Sequence, residues 1–258
     1  MTASSGKTLV VIPCYNEAAR LDRAACLAAL ARQPSLELVF VDDGSRDGTA
    51  AMLGELRDAR PDHVHVLGLP SNQGKAEAVR RGVLEAFGRD AALVGYWDAD
   101  LATPLDAIPA FVSVLGDPRI QMVMGSRVKL LGRHIERDLA RHYLGRGFAT
   151  VVASALGLAV YDTQCGAKLF RAGPLFARVF SQPFRSRWTF DVEILVRLLR
   201  EEKDSGAIRV SEQCVELPLD EWRDQPGSKL RFRHIPRILV ELAGLLREAP
   251  RRGSRPLG

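Results

Sequence analysis

The sequence has no apolar run long enough to cross a bilayer. Its longest stretch free of charge, Gly147 to Tyr161, is 15 residues, against the roughly 20 that a spanning helix needs. It also lacks the basic-then-apolar anatomy of a secretory signal at its start. These absences predict a cytoplasmic chain, at most peripheral on the inner face of the membrane. Cysteine is scarce: Cys14, Cys26, Cys165 and Cys214 stand far apart with no Cys-x-x-Cys pair. Such spacing offers no disulfide frame and no thiolate metal site, and it fits free thiols in a reducing compartment. There is no Walker A loop, and with 47% hydrophobic and 26% charged residues there is no compositional sign of global disorder.

An excess of one charge sign is missing from most of the chain. The net +5 comes from the end: from Arg223 onward nine Lys/Arg stand against three Asp/Glu, while the remainder carries 27 against 28. The basic segment lacks the repeated interleaved aromatics that stack on bases, so nucleic acid is not expected as a partner.

What is present is a regular alternation of short apolar runs with helical stretches. Thr8–Ile12 reads as a strand stopped at Pro13, and 18–32 as an Ala-rich helix. Glu37–Val41 is a second strand, and Asp47–Arg60 a helix with Asp47 as N-cap. Val64–Leu67, a helix from Gly74 to Gly88, and the strand Ala92–Trp97 follow. Beyond them the pattern predicts helices over Leu105–Leu115, 137–159 and Phe190–Glu202, with strands at Gln121–Met124 and Ile208–Leu217. This is an α/β chain with a Rossmann-like, mostly parallel central sheet and helices on both faces. It reads as one domain over 1–232, then a C-terminal amphipathic helix (Ile235–Arg247) and basic tail over 233–258, whose last residues have a disordered composition.

In such sheets ligands bind beyond the C-terminal strand ends. Those ends carry Pro13-Cys14-Tyr15-Asn16-Glu17, Asp42-Asp43-Gly44-Ser45 and Asp98-Ala99-Asp100, so three polar clusters should meet in one crevice. Asp98 and Asp100 offer hard oxygen ligands for Mg²⁺ or Mn²⁺; alone, Asp-x-Asp is equally a solvated strand end. Asp-Asp-Gly-Ser is either a turn or an acceptor for a nucleoside. Asn72-Gln73-Gly74-Lys75 puts a lysine and free amides at a helix start, a phosphate site or a plain loop.

In this order and at these separations, the four segments resemble glycosyltransferase family 2, which has the GT-A fold. Gly125-Ser126-Arg127, Asp162 to Phe170, Arg187 to Glu193 and Gly227 to Leu230 are similar to its dolichyl-phosphate and polyprenyl-phosphate glycosyltransferase branch; the resemblance covers residues 8–232. It implies a nucleotide-sugar site lined by Pro13, Tyr15, Glu17, Asp42 or Asp43, and Lys75. Asp98 and Asp100 would hold the metal and sugar diphosphate. Asp162, Gln164, Trp188 and Asp191 would shape the sugar and acceptor side, and Ser126, Arg127, Arg141 and Lys229 are candidates for an acceptor phosphate. Mannosyl enzymes of the branch often place Gln two residues after the second metal Asp. Ala102 stands there in this chain, which favours UDP-glucose over GDP-mannose as donor.

The resemblance therefore implies an inverting, metal-dependent hexosyltransferase acting on a polyprenyl or dolichyl phosphate. A phosphate acceptor is already largely anionic near neutrality, its second pKa being about 6, and needs no strong base. A hydroxyl acceptor would need one, and Asp162 and Asp191 then join Asp100 as the catalytic candidates. The alternatives are a non-lipid hydroxyl acceptor, GDP-mannose as donor, or a module that binds nucleotide-sugar without turnover. The apolar face of the last helix, flanked by arginines, suits either docking on the core or an anionic membrane surface.

Overall fold

A computed structural model describes residues 6–136, 139–223 and 235–250, with the backbone alone for 139–144 and 235–239. Its strands are β1 (Thr8–Cys14), β2 (Leu36–Asp42), β3 (Val64–Gly68), β4 (Leu93–Trp97), β5 (Met122–Ser126), β6 (His134–Glu136), β7 (Ala167–Arg171), β8 (Cys214–Pro218) and β9 (Glu221–Arg223). The helices are α1 (Arg23–Arg32), α2 (Thr49–Ala59), α3 (Lys75–Phe87), α4 (Ile108–Val114), α5 (Leu139–Leu156), α6 (Pro174–Ser181), α7 (Phe190–Ser205), α8 (Val210–Gln213) and α9 (Ile235–Glu248).

Seven strands form the main sheet in the order β3-β2-β1-β4-β7-β5-β8, and β6 pairs with β9 in a small separate ribbon. All neighbours in the main sheet are parallel except β7, which runs antiparallel to both β4 and β5. Alternate side chains enter opposite layers, as the period of two requires. Val10, Ile12, Leu38, Phe40, Trp97, Val123 and Leu169 pack under α1, α2 and α4. Leu9, Val11, Val39, Val41, Tyr96, Met124 and Phe170 pack under α3, α6 and α7. Covering on both faces is why the parallel strands read as near-continuous apolar runs.

Strand order reverses between β1 and β4: the chain leaves β1 towards β2 and β3, then returns to β4 on the other side. Loops from these two strand ends diverge and leave a crevice. The Pro13–Glu17 segment and Asp98–Asp100 therefore flank the opening.

Several local expectations are corrected. β1 continues through Pro13, which pairs with Val41 of β2 at a level where the pairing with β4 has ended, so its missing N–H costs no ladder bond. α1 begins at Arg23, because the Asp22 carboxylate accepts the Ala25 N–H and caps it there. α2 begins at Thr49 with Gly48 as N-cap; Asp47 still accepts the Thr49 N–H at 3.0 Å from one position further out. The predicted strand Ile208–Leu217 is a turn of helix followed by β8, because the Arg209 carbonyl accepts the Gln213 N–H at 2.8 Å and closes that turn. β7 and α6 were not anticipated. α9 lays Leu242 and Leu245 into the core against α7, and 251–258 lie outside the described residues.

Gly82 lets α3 approach the sheet: a Cβ there would stand 2.3 Å from Val11 Cγ1 and 2.8 Å from Val41 Cγ2. Valine side chains are stiff, so Gly82→Ala should lower stability by about 1–3 kcal/mol although alanine is the better helix former. A shifted midpoint in urea unfolding is the readout.

Candidate active site

The loops after β1 and β2 are stitched together. Asn16 adopts a left-handed backbone, φ 52°. Its N–H donates to Ser45 Oγ at 3.0 Å, and its side-chain oxygen accepts the Arg46 N–H at 2.8 Å. The Glu17 N–H donates to Thr49 Oγ1 at 2.8 Å. The polar residues of Ser45–Thr49 thus hold Tyr15 and Glu17 in place. Pro13 and Tyr15 are half-buried, and Glu17 is buried.

The two aspartates after β2 do different work. Asp42 accepts the Ser45 N–H at 3.0 Å and closes its own turn. Asp43 accepts the Gln73 and Gly74 N–H groups, one on each oxygen, at 2.7 and 2.8 Å. These lie at the start of α3, where donors lack intrahelical partners. Gly44 (φ 66°) passes directly over the Ser71–Asn72 backbone, where a Cβ would sit 2.6 Å from Ser71 Cα. Burial raises the Asp43 pKa above the ordinary aspartate value despite the opposing pull of the two amides.

Lys75, first residue of α3, reaches the Asp98 carboxylate. Burial works against its charge, but Asp98, Asp191 and Asp100 outweigh that and hold its pKa above the usual lysine value. On the other side Arg20 stands 3.6 Å from Glu17 and 3.7 Å from Asp100. The Asp100 pKa is raised, by burial first and by the neighbouring Asp98 carboxylate second. The Asp-x-Asp pair thus sets two carboxylates next to each other between two cations, and its hard oxygens suit a divalent cation. Among the described residues no cluster of three or more metal-capable side chains exists, so a cation here would need oxygens from a ligand as well.

Asp98 rests against the loop that leads into β7. Its N–H donates to the Gly166 carbonyl at 3.1 Å, and a Cβ on Gly166 would fall 2.0 Å from Asp98 Oδ2. Four residues earlier, Asp162 grips Arg127 through Nε (2.6 Å) and Nη2 (2.8 Å). Asp162 is itself placed by Glu216 of β8, whose two oxygens accept the Tyr161 and Asp162 N–H groups at 2.6 and 2.7 Å. Around this pair lie buried polar atoms with no protein partner: Ser126 Oγ, Thr163 Oγ1 and Gln164 Nε2. Buried polar atoms normally find partners, so these are open to a ligand or water.

Asp191 opens α7 on the core side of the crevice. Its Oδ1 accepts from both Tyr96 Oη and the Lys168 ammonium at 2.5 Å. The Trp188 N–H donates to Ser186 Oγ at 3.3 Å in the preceding loop, from which Arg187 Nε donates to the Gln73 carbonyl at 3.3 Å. The structure thus gathers Lys75, Asp98, Asp100 and Asp191 on one side and Ser126, Arg127, Asp162 and Gln164 on the other. The Arg141 side chain and Lys229 lie outside the described residues. Burial pushes the Cys165 thiol up to about 11 and those of Cys26 and Cys214 to about 12, so none is poised as a nucleophile.

Sequence reading missed Arg20, Gly166, Lys168, Arg187 and Glu216. Lys168 had a signal, a lone charge in the apolar run Ala167-Lys168-Leu169-Phe170. Glu216 sat inside a stretch taken for an ordinary strand.

Comparison with known proteins agrees with this geometry. The sequence model of the family described as glycosyl transferase family 2 matches residues 9–175. A dolichyl-phosphate beta-glucosyltransferase of Dictyostelium discoideum is 32% identical over 235 residues, 86% of this chain and 68% of that protein. The protein of the same name from Mus musculus is 32% identical over 240 residues, with the same coverage of 86% and 68%. Glucosyl-3-phosphoglycerate synthase from Mycobacterium tuberculosis, solved with UDP, superposes with TM-score 0.62 at 20% identity, covering 96% of this chain and 83% of that one. Its complex with Mn²⁺ and UDP-glucose superposes with TM-score 0.62 at 20% identity, covering 96% and 82%. The sheet and its helices are thus the GT-A fold.

Because the folded chain holds a proton on Asp100 more tightly than the unfolded one, this residue's contribution to stability falls as pH rises from the ordinary aspartate value through the raised one. At neutral pH without metal, Asp100 is therefore a net cost. Asp100→Asn should raise the Tm of the metal-free protein by about 1–3 °C and abolish any Tm increase on adding Mn²⁺ with UDP. Differential scanning fluorimetry at two pH values reads both effects.

Proposed function

This chain belongs to glycosyltransferase family 2, and we propose that it transfers glucose from UDP-glucose, with inversion, to a polyprenyl or dolichyl phosphate at a membrane surface. The observation that carries the choice of acceptor is the state of the two carboxylates available as general bases. Asp162 is closed on Arg127 and Asp191 on Lys168 and Tyr96. A hydroxyl acceptor would need one of them to take its proton; a phosphate oxygen, already anionic, needs neither. The names of the curated relatives point to the same acceptor.

In this reading Asp98 and Asp100 would hold Mg²⁺ or Mn²⁺ beside the donor's diphosphate. Such a cation stabilises the departing nucleoside diphosphate as a Lewis acid. Lys75 and the first amides of α3 add positive potential on the same side. Pro13, Tyr15 and Glu17 line the nucleoside, and Asp42, which commits one oxygen where Asp43 commits both, offers the acceptor for it. Asp162 serves as the residue that aims Arg127, and Ser126 Oγ and Gln164 Nε2 supply further contacts for the acceptor phosphate and the sugar. Trp188 borders the same space. Catalysis then rests on positioning and on charge stabilisation of the leaving group.

The lipid would lie on a surface rather than within a span. Among the described residues no helix is long and apolar enough to cross a membrane. Exposed apolar side chains occur at Leu130, Leu131, Val151 of α5 and Val240 of α9. They support a peripheral contact.

The test is incubation of the purified chain with Mg²⁺ or Mn²⁺ and UDP-glucose or GDP-mannose, offering a polyprenyl phosphate or small hydroxy acids as acceptor. The expected product is a glucosyl phosphate lipid of inverted anomeric configuration, lost with EDTA and reduced at least about 100-fold in Asp100→Asn. Transfer from GDP-mannose alone, or to a hydroxyl acceptor but never to the lipid phosphate, would overturn the assignment.

A further inference from the structure

Lysine is almost never fully buried without compensation, yet the Lys168 side chain has no exposed surface at all. It lies in β7, between β4 and β5, surrounded by Tyr96, Phe170 and the other side chains of the larger apolar layer. Its ammonium has three N–H donors, and all three are used: on the Thr163 carbonyl at 3.2 Å, the Cys165 carbonyl at 2.6 Å and Asp191 Oδ1 at 2.5 Å. A buried ion pair is seldom more stable than packed hydrocarbon of the same volume. Cohesion alone therefore does not account for the charge, and the partners it selects do.

Each partner leads into the crevice. The Thr163 and Cys165 carbonyls belong to the loop that ends in Gly166, the surface on which the Asp98 carboxylate rests and whose carbonyl accepts the Asp98 N–H. The same loop begins at Asp162, which aims Arg127. Asp191 opens α7, and the loop before it sends Arg187 to the Gln73 carbonyl beside Lys75. One ammonium thus fastens the support of Asp98 to the start of α7.

Resting on the function proposed above, we propose that Lys168 is a positioning residue of the donor site, which acts through the 163–166 loop to hold Asp98 where a divalent cation and a nucleoside diphosphate bind. It touches neither ligand. Its removal should weaken metal-dependent nucleotide binding by about 10–100-fold, the range seen when groups supporting a metal ligand are lost.

Lys168→Met alone would strand the Asp191 charge, so the test uses Lys168→Met/Asp191→Asn. Gly166→Ala and the triple variant are measured beside it. Mn²⁺-dependent UDP binding is measured by calorimetry, with Tm read in parallel. The expected result is a folded double variant that binds Mn²⁺ and UDP about 10–100-fold more weakly. Gly166→Ala should show a loss of similar size, and the triple variant should lose no more than the worse of the two, since both act through Asp98. Wild-type affinity in the folded double variant, or losses that multiply in the triple, would overturn the proposal. Should the double variant fail to fold, Lys168→Arg retains the charge beside Asp191 but moves the donors. Weakened binding there supports the proposal and wild-type affinity overturns it. Absence of Mn²⁺-dependent UDP binding in the unmodified chain would overturn the reading of the site on which the proposal rests.

Discussion

Two carboxylates two residues apart at the end of one strand repel each other, and much of the polar architecture at this edge of the sheet answers that repulsion. Lys75 approaches Asp98 from the start of α3, and Arg20 approaches Asp100 from the loop after β1. For these cations to arrive, both loops must be held. Asp43 fastens the start of α3 to the β2 end, and Ser45 and Thr49 fasten the β1 loop to the β2 loop. The fold thus spends several hydrogen bonds on delivering positive charge to one point, while burial first and the Asp98 carboxylate second still hold the Asp100 pKa above the ordinary aspartate value.

The remaining acidic groups of the crevice are settled by contrast. Asp43 is satisfied by two amides, Glu216 by two more, Asp162 by a bidentate arginine and Asp191 by a lysine and a phenol. Carboxylates closed on such partners are scaffolding, whereas Asp98 and Asp100 stand side by side with one cation near each, and their remaining lone pairs are where a divalent ion would gain most. The sorting follows from burial and partner geometry, and it separates groups that look alike in a linear reading.

That contrast also marks how far the sequence was legible. The strand-end clusters were readable because each interrupts an apolar run at the level where a parallel sheet opens to solvent, and one reversal of strand order brings them together. The different roles of Asp42 and Asp43 were not readable, since which of two adjacent carboxylates turns towards α3 is set by the close pass of Gly44 over Ser71. β7 was hidden by its own lysine: a charge in the middle of a strand reads as surface until its buried partners are known. The misassigned stretch at Ile208–Leu217 has apolar residues that fit a strand, and only the hydrogen bonds of Arg209 with Gln213 tip its start into a helical turn. Apolar pattern and propensity mislead in both places, at β7 because distant partners decide and at Arg209 because a local hydrogen bond does.

The reversed direction of β7 has an architectural effect of its own. β5 ends at Ser126 on the crevice side, and because β7 runs the other way its first residue, Ala167, stands at that same side. The chain therefore leaves the sheet after Ser126 and rejoins it at Ala167 at the same end. This excursion is more than a surface loop, because Val152, Leu156 and Leu158 pack into the apolar layer of α3, α6 and α7 and the Thr163 and Cys165 carbonyls hold Lys168. One stretch of chain thus carries Arg127 and Asp162 at one side of the opening and Gly166 beneath Asp98 at the other, and so forms a common wall for both halves of the crevice.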